Sequence, residues 1–265
     1  MGLNEKLTLA GLVVGLLIGA TGMGAGSLMA PILITVFNVG AVAAVGTDLL
    51  YSATTKAVGG WRHLSLNTVN KELAWWMAAG SVPASLAGVV TLHELIGSGG
   101  ASIQHDLKLA IAGALLLVAA TVAVRTFVTV RSLWSPERVL DGPLSDRHKL
   151  LAVVVGVVFG YVFGITSVGA GAFFGIALIM LFPLSTHRIV GTDLFHGALV
   201  TIPAAIASYF LLPDVHLATV GYLMAGSIPG ILIGSQVMVA LPERALRGSL
   251  ATVLAFSGLK LFGLF

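Results

Sequence analysis

The chain has 265 residues, of which 57% are hydrophobic and only 9% charged, with a formal net charge of +3 and no cysteine. A soluble domain carries about 25% charged residues, so too few charges are present to cover a water-facing surface, and the solvent for most of the length is a bilayer. The missing thiols exclude disulfides, thiolate nucleophiles and Cys-ligated metals, and the basic residues fall between apolar runs rather than in a stripe interleaved with aromatics, which excludes nucleic acid as a partner.

Lipid leaves no partner for an open strand edge, so the spanning elements are helices. Five apolar elements are expected in the first half: Leu7–Ala20, Ser27–Phe37, Ala41–Gly60, Leu73–Leu92 and Leu107–Val130. The first follows a short polar start (Asn4, Glu5, Lys6). It lacks a convincing small-x-small cleavage site ahead of a soluble chain, so it is expected to be retained rather than removed as a signal peptide. The polar stretch Arg131–Lys149, with Pro136, Gly142 and Pro143, is a linker. Five more elements follow: Leu150–Ile165, Ala172–Phe182, Ile189–Leu212, Leu217–Leu241 and Ala245–Phe265. The expected organisation is therefore an N-terminal repeat over 1–130, a cytoplasmic linker over 131–149 and a C-terminal repeat over 150–265, together one membrane domain.

The halves are copies of each other. Gly-Ala-Thr-Gly-Met-Gly-Ala-Gly at Gly19–Gly26 returns as Gly-Ile-Thr-Ser-Val-Gly-Ala-Gly at Gly164–Gly171, and Val45–Leu49 returns unchanged as Val190–Leu194, both at an offset of 145 residues. Ala-Gly-Ser-Val-Pro at Ala79–Pro83 returns as Ala-Gly-Ser-Ile-Pro at Ala225–Pro229, at an offset of 146. A duplicated apolar chain points to a transporter. Spanning takes about 20 residues, and Ser27–Phe37 and Ala172–Phe182 are far shorter. Each is either a tilted short helix or part of a re-entrant hairpin. Five crossings, or three plus a hairpin, are both odd, so the second half is inverted relative to the first. The fold class expected is an all-α integral membrane protein of two inverted-topology repeats, each of about five helical elements with short or re-entrant first and second members.

Charge placement agrees with that topology. The loops after the third, fifth, seventh and ninth elements, with their flanks, hold 11 of the 14 Lys and Arg residues; Lys6, Lys108 and Lys260 lie on the other side. By the positive-inside rule the basic side is cytoplasmic, and both termini lie outside the cell membrane. Glycines recur every four residues at Gly11, Gly15 and Gly19, at Gly156, Gly160 and Gly164, and at Gly226, Gly230 and Gly234. Such spacing makes a flat groove for close helix packing.

The two glycine-rich breaks carry the first candidate chemistry. Gly22, Gly24 and Gly26, and Ser167, Gly169 and Gly171, can turn several backbone N–H groups toward one point. The following helix adds its positive end, and Thr21 and Thr166 add hydroxyls. The alternative is a tight turn with no ligand. Asp48 and Asp193 occupy matching positions. A charge at the bilayer centre costs about 2.5–3.5 kcal/mol on insertion scales, so these carboxylates either gate or couple protons, or they cap a helix that starts there. The halves then diverge. Lys56 corresponds to Thr201, and His196 to Tyr51. Lys56 attracts an anion or snorkels to the cytoplasmic rim, with snorkelling the preferred expectation. His196 relays protons or packs.

No His-Glu-x-x-His, Gly-x-Ser-x-Gly, phosphate-binding loop or metal-ligand spacing occurs. No catalytic residue, metal or cofactor is therefore expected. The classes left open beside a carrier are an anion channel and a membrane-embedded enzyme acting on a small anion or a lipid.

The duplicated break, the duplicated Val-Gly-Thr-Asp-Leu, Trp61-Arg62-His63 at the end of the third element and the paired Ala-Gly-Ser-x-Pro resemble the TauE/SafE sulfite exporter family over nearly the whole chain. The resemblance implies a multi-pass transporter of sulfite or a related sulfur anion. It carries the substrate role to the two breaks and to the Gly-Thr-Asp segments, adding Thr47 and Thr192. Ala25 and Ala170 interrupt the run of three glycines common in the family. The expected partners are a small anion and the bilayer, with a homodimer also admissible. An anion leaving an interior-negative cell runs down the field by about 2.3 kcal/mol per charge per 100 mV, so export is the expected direction. Uptake would need the coupling groups Asp48, Asp193 or His196.

Overall fold

The computed structural model describes residues 2–21, 28–99, 102–127, 144–169, 171–182, 184–237 and 243–264. Among them the chain forms ten α-helices and no strand: α1 (Leu3–Thr21), α2 (Met29–Thr35), α3 (Ala41–Ser65), α4 (Lys71–Gly99), α5 (Ser102–Phe127), α6 (Asp146–Thr166), α7 (Ala172–Leu181), α8 (Thr186–Leu211), α9 (Leu217–Val237) and α10 (Glu243–Leu261). Every expected element is present in the expected order. Five stretches, Lys71–Ser98, Ser102–Ala123, Asp146–Thr166, Arg188–Leu211 and Leu217–Gly234, are each long and apolar enough to cross a bilayer. Their outer faces are apolar, with Val154, Val157 and Val158 exposed on α6 and Ile228, Leu232 and Ile233 on α9. A soluble helix would put polar residues there.

Helix ends explain the differences in boundary. α6 begins ahead of the expected Leu150 because Ser145 is extended (φ −66, ψ 154) and its side chain accepts from the His148 amide at 3.4 Å. That N-cap draws Asp146–Lys149 out of the linker and into the first helical turn. Glu72, in the first turn of α4, fixes this corner. It accepts from the Leu144 amide at 3.1 Å and lies 3.7 Å from the Lys149 ammonium. The stretch 128–143 lies outside the described residues. α3 starts after Gly40, which has no side chain to cap with, so the Gln104 side chain of α5 accepts from the Ala41 amide at 2.7 Å. α2 has seven residues and α7 ten, too few to cross. The last carbonyl of α2, Thr35, accepts from Lys260 of α10 at 3.5 Å.

The helices pair across the halves. The most extensive packing is α1 on α9, α4 on α6, α3 on α8 and α5 on α10. Glycine permits the first two. A Cβ built on Gly226 would lie 1.8 Å from the Thr8 carbonyl oxygen, and one on Gly15 would lie 2.4 Å from that of Ser227. On the other pair, Gly156 meets the Met77 carbonyl at 2.3 Å and Gly164 meets that of Ser85 at 2.2 Å. Backbones this close admit no side chain, which is the helix-packing role expected of the glycine series. The register gives direction. Gly11 faces Leu223 and Gly15 faces Ser227, so α1 and α9 run parallel, and Met77, Ser81 and Ser85 against Gly156, Gly160 and Gly164 make α4 and α6 parallel. On α3 and α8, Gly46 meets Leu212, Gly60 meets Leu194 and Gly197 meets Lys56, so these two run antiparallel.

Candidate functional site

Asp48 and Asp193 are interior helix residues, each two turns past the first residue of its helix. The helix-capping alternative is thereby overturned, since α3 and α8 are preceded by Gly40 and Ser185. The glycine two residues before each aspartate has a plain structural use. A Cβ on Gly46 would lie 2.4 Å from Val215, in the connection after α8, and one on Gly191 would lie 2.5 Å from the Thr68 hydroxyl, in the connection after α3. Each half's Gly-Thr-Asp segment thus receives the loop of the other half.

The second break packs on Asp48. Ser167, the residue after α6, is buried and left-handed (φ 59, ψ −2). Its hydroxyl donates to Asp48 Oδ2, and Ser52, one turn along α3, donates to Oδ1 at 3.4 Å. A non-glycine residue at positive φ costs energy, and here it delivers a hydroxyl to a buried carboxylate. Gly169 is required by its backbone. Its φ is +102, and a Cβ there would lie 2.0 Å from the Phe173 ring. Thr166 is occupied within the break, donating to the Val162 carbonyl at 2.7 Å and accepting from the Val168 amide at 3.2 Å.

Asp193 has no such support. The position matching Ser52 is Gly197, and the one matching Ser167 is Gly22. Asp193 is buried, and its Oδ1 has no hydrogen-bond partner among the described residues. Gly175 of α7 faces it, with a built Cβ 3.7 Å from Oδ2. The space left by the small side of Gly197 is taken by Lys56, whose Nζ lies 3.1 Å from a Cβ built there. Lys56 is 1% exposed, so it does not snorkel to the rim. Its helix is packed against α8, and the side chain lies over Gly197. Lys56 Nζ sits 6.0 Å from the Phe163 ring centroid. It also interacts electrostatically with both aspartates, more strongly with Asp193.

His196 lies one turn after Asp193. Its Nε2 is 2.8 Å from the Ser81 hydroxyl, and its ring makes an edge contact with Phe174 at 4.4 Å. The corresponding pair in the other half is Tyr51 with Ser227, oxygen to oxygen at 2.5 Å. Three buried side-chain atoms therefore lack partners among the described residues, Lys56 Nζ, Asp193 Oδ1 and His196 Nδ1, and they cluster where α3 crosses α8.

The remaining expected residues divide. Thr47 is buried beside Asp48, and the Thr192 hydroxyl accepts from the Asn70 amide at 2.9 Å. Gly171 immediately precedes α7, and Thr21 is the last residue of α1. Gly22, Gly24 and Gly26 lie outside the described residues. Four site neighbours were not singled out in the sequence: Tyr51, Ser52, Ser81 and Ser227. The signal for two of them was present, since Ser81 and Ser227 are the serines of the repeated Ala-Gly-Ser-x-Pro. No group of three metal-capable side chains occurs among the described residues.

The family model of the sulfite exporter TauE/SafE matches residues 7–261. The chain belongs to the TauE/SafE family. It is 38% identical to the probable membrane transporter protein YjnA of Bacillus subtilis, over 98% of this chain and all of that one. It is 24% identical to the probable membrane transporter protein YdhB of the same organism, over 94% and 96% of the two chains. No solved structure gives a significant match. As a TauE/SafE member the chain is a multi-pass membrane transporter and not an enzyme.

Proposed function

We propose that the chain exports a small sulfur-containing anion, such as sulfite or an organosulfonate, across the cell membrane by alternating access. The observation that carries this reading is Lys56, a cation buried between the two halves with no hydrogen-bond partner among the described residues. Asp193 and Asp48 act on its charge, but its N–H donors are unfilled, and the oxygens of a small oxyanion are acceptors that would fill them. The family supports a sulfur anion.

The pairing of helices supports an inverted repeat. Exchanging the halves turns α1 on α9 into α6 on α4, and it leaves α3 on α8 and α5 on α10 unchanged. The matching helices α3 and α8 run in opposite directions, as an inverted repeat requires. The break residues Thr21, Gly22, Gly24, Gly26, Thr166, Ser167, Gly169 and Gly171, with Thr47 and Thr192, would line the path. Asp48, Asp193 and His196 would gate it or couple protons. Rocking of one half on the other would expose Lys56 alternately to each side. The basic loops support a cytoplasmic connection between the halves, with both termini outside. An anion leaving then gains about 2.3 kcal/mol per 100 mV.

Radiolabelled sulfite should accumulate in inside-out membrane vesicles carrying the protein, above the level of vesicles without it. Equal levels in the two would count decisively against the proposal.

A further inference from the structure

A sequence half is not a packed unit. Among the described residues α1, α3 and α4 have no substantial packing on one another, and the same holds for α6, α8 and α9. These helices find their main neighbours in the other half. α1 lies on α9 and α4 on α6, and in each pair both helices bring glycines to the contact. They are Gly11 and Gly15 with Gly226 and Gly230, and Gly80 and Gly88 with Gly156, Gly160 and Gly164. A Cβ on any of them would fall 1.8–2.6 Å from a carbonyl oxygen of the facing helix. Close van der Waals contact is what holds helices together in lipid, and backbone set into backbone cannot slide without collision. α3 and α8 meet differently. Gly59 and Gly197 face side chains there, those of Leu194 and Lys56, and at Gly60 a built Cβ keeps 3.1 Å from the nearest carbonyl. Side chains can exchange rotamers as helices shift; a helical carbonyl has no such freedom.

Two hydroxyls fasten the crossing helices to the glycine-locked pairs. Ser227, whose carbonyl lies against Gly15, hydrogen-bonds Tyr51 of α3 at 2.5 Å, and Ser81, whose carbonyl lies against Gly160, hydrogen-bonds His196 of α8 at 2.8 Å. α8 is tied to α4 twice more. His93 Nδ1 donates to the Leu211 carbonyl at 2.6 Å, and Trp75 makes an edge contact with Phe195 at 6.4 Å.

We infer that the units that rock are two bundles, each drawn from both sequence halves: α1–α9 carrying α3, and α4–α6 carrying α8, sliding at the α3–α8 crossing with Ser227 and Ser81 as the fastening residues. The inference rests on the transporter reading above and names the helices of each rocking unit. Exchanging the sequence halves turns one bundle into the other, so the two-fold relation is kept, while α5 on α10 maps onto itself and belongs to neither. Of the three unpartnered atoms, Lys56 Nζ rides on the first bundle, and Asp193 Oδ1 and His196 Nδ1 ride on the second. Shear at the crossing therefore changes what Lys56 faces.

Spin-label distances test this, because the two ways of dividing the molecule predict opposite results. The chain has no cysteine, so pairs of exposed residues can be changed to cysteine in the full-length protein: Glu5 on α1, Val58 on α3, Ser98 on α4 and Leu217 on α9. Gadolinium labels are attached through thioethers, which sulfite does not cleave, and pulsed dipolar spectroscopy in lipid nanodiscs compares each pair with and without saturating sodium sulfite. Glu5→Cys with Leu217→Cys joins different halves of one bundle, and its distance should stay fixed. Glu5→Cys with Ser98→Cys joins one half across two bundles, and its distance should shift by about 3–5 Å. Leu217→Cys with Val58→Cys should stay fixed, and Tyr51→Phe, which deletes only the hydroxyl held by Ser227, should broaden that distribution while leaving Glu5 to Leu217 unchanged. A shift between Glu5 and Leu217, a fixed distance between Glu5 and Ser98, or no broadening in Tyr51→Phe each overturn the inference. Vesicle sulfite flux without the expected displacements leaves the transporter reading standing and removes this one alone. Absence of both flux and displacement removes the two together.

Discussion

Ser167 offers a prediction whose size follows from two opposed terms. Its hydroxyl donates to the buried Asp48 carboxylate, and its backbone sits at φ 59. Polar contacts between membrane helices are worth about 0.6 kcal/mol on average and up to about 1.7. A carboxylate acceptor belongs at the upper end, so Ser167→Ala should cost about 1.5 kcal/mol while leaving the left-handed backbone in place. Ser167→Gly loses the same hydrogen bond but relieves about 1–2 kcal/mol of left-handed strain. The larger chain entropy of glycine takes back about 0.5–1 kcal/mol, which leaves a net cost of about 0.5 kcal/mol. Glycine should therefore be the milder substitution by about 1 kcal/mol, roughly fivefold in the unfolding equilibrium. Ser167→Thr keeps the hydroxyl but puts a β-branch at positive φ, and should be the least stable backbone of the three. Unfolding in mixed micelles titrated with dodecyl sulfate measures the ranking. If alanine equals glycine, the strain is not there. If alanine equals serine, the hydroxyl contributes nothing to Asp48.

Two further substitutions probe packing and charge. Gly226→Ala puts a Cβ where the Thr8 carbonyl oxygen lies 1.8 Å away, so α1 and α9 must separate. It should lower stability by about 1–3 kcal/mol, whereas Gly113→Ala in α5, with nothing within 4 Å, should be neutral or gain up to about 1 kcal/mol from helix propensity; paired melting curves decide, and similar shifts would remove the close-packing account. Lys56→Met replaces the buried ammonium by an apolar side chain of similar length. It should stay folded by size-exclusion chromatography yet lose at least about tenfold of the vesicle sulfite flux, and flux near the unaltered level would show that the lysine does not hold the anion.

Local pattern and composition were enough to place the ten helices. Apolar runs, the glycine breaks and the polar connections are short-range signals, and lipid removes the competing choice of an open strand. The four-residue glycine spacing told of close packing for the same reason, since it lies on one face of one helix. Boundaries drifted where a cap intervened, as at Ser145, because one side-chain hydrogen bond adds a turn without changing the apolar pattern. The duplicated Val-Gly-Thr-Asp-Leu marked a candidate segment, but its immediate surroundings also fit a helix cap at the aspartate, and only the structure put Asp48 and Asp193 inside helices.

Which atoms meet at the site was decided by tertiary structure. Ser167 reaches Asp48 from 119 positions along the chain, and Ser81 reaches His196 from 115. Nothing local to either residue encodes its partner. Lys56 shows the limit most clearly. Its place along α3 allowed either a reach to the membrane surface or burial, and the packing of α8, with Gly197 opposite, chose burial. A helix's own residues set its length and its faces. Whether a charge on one face meets water, lipid or another charge depends on which helix arrives there, and that is fixed by the assembly of both halves.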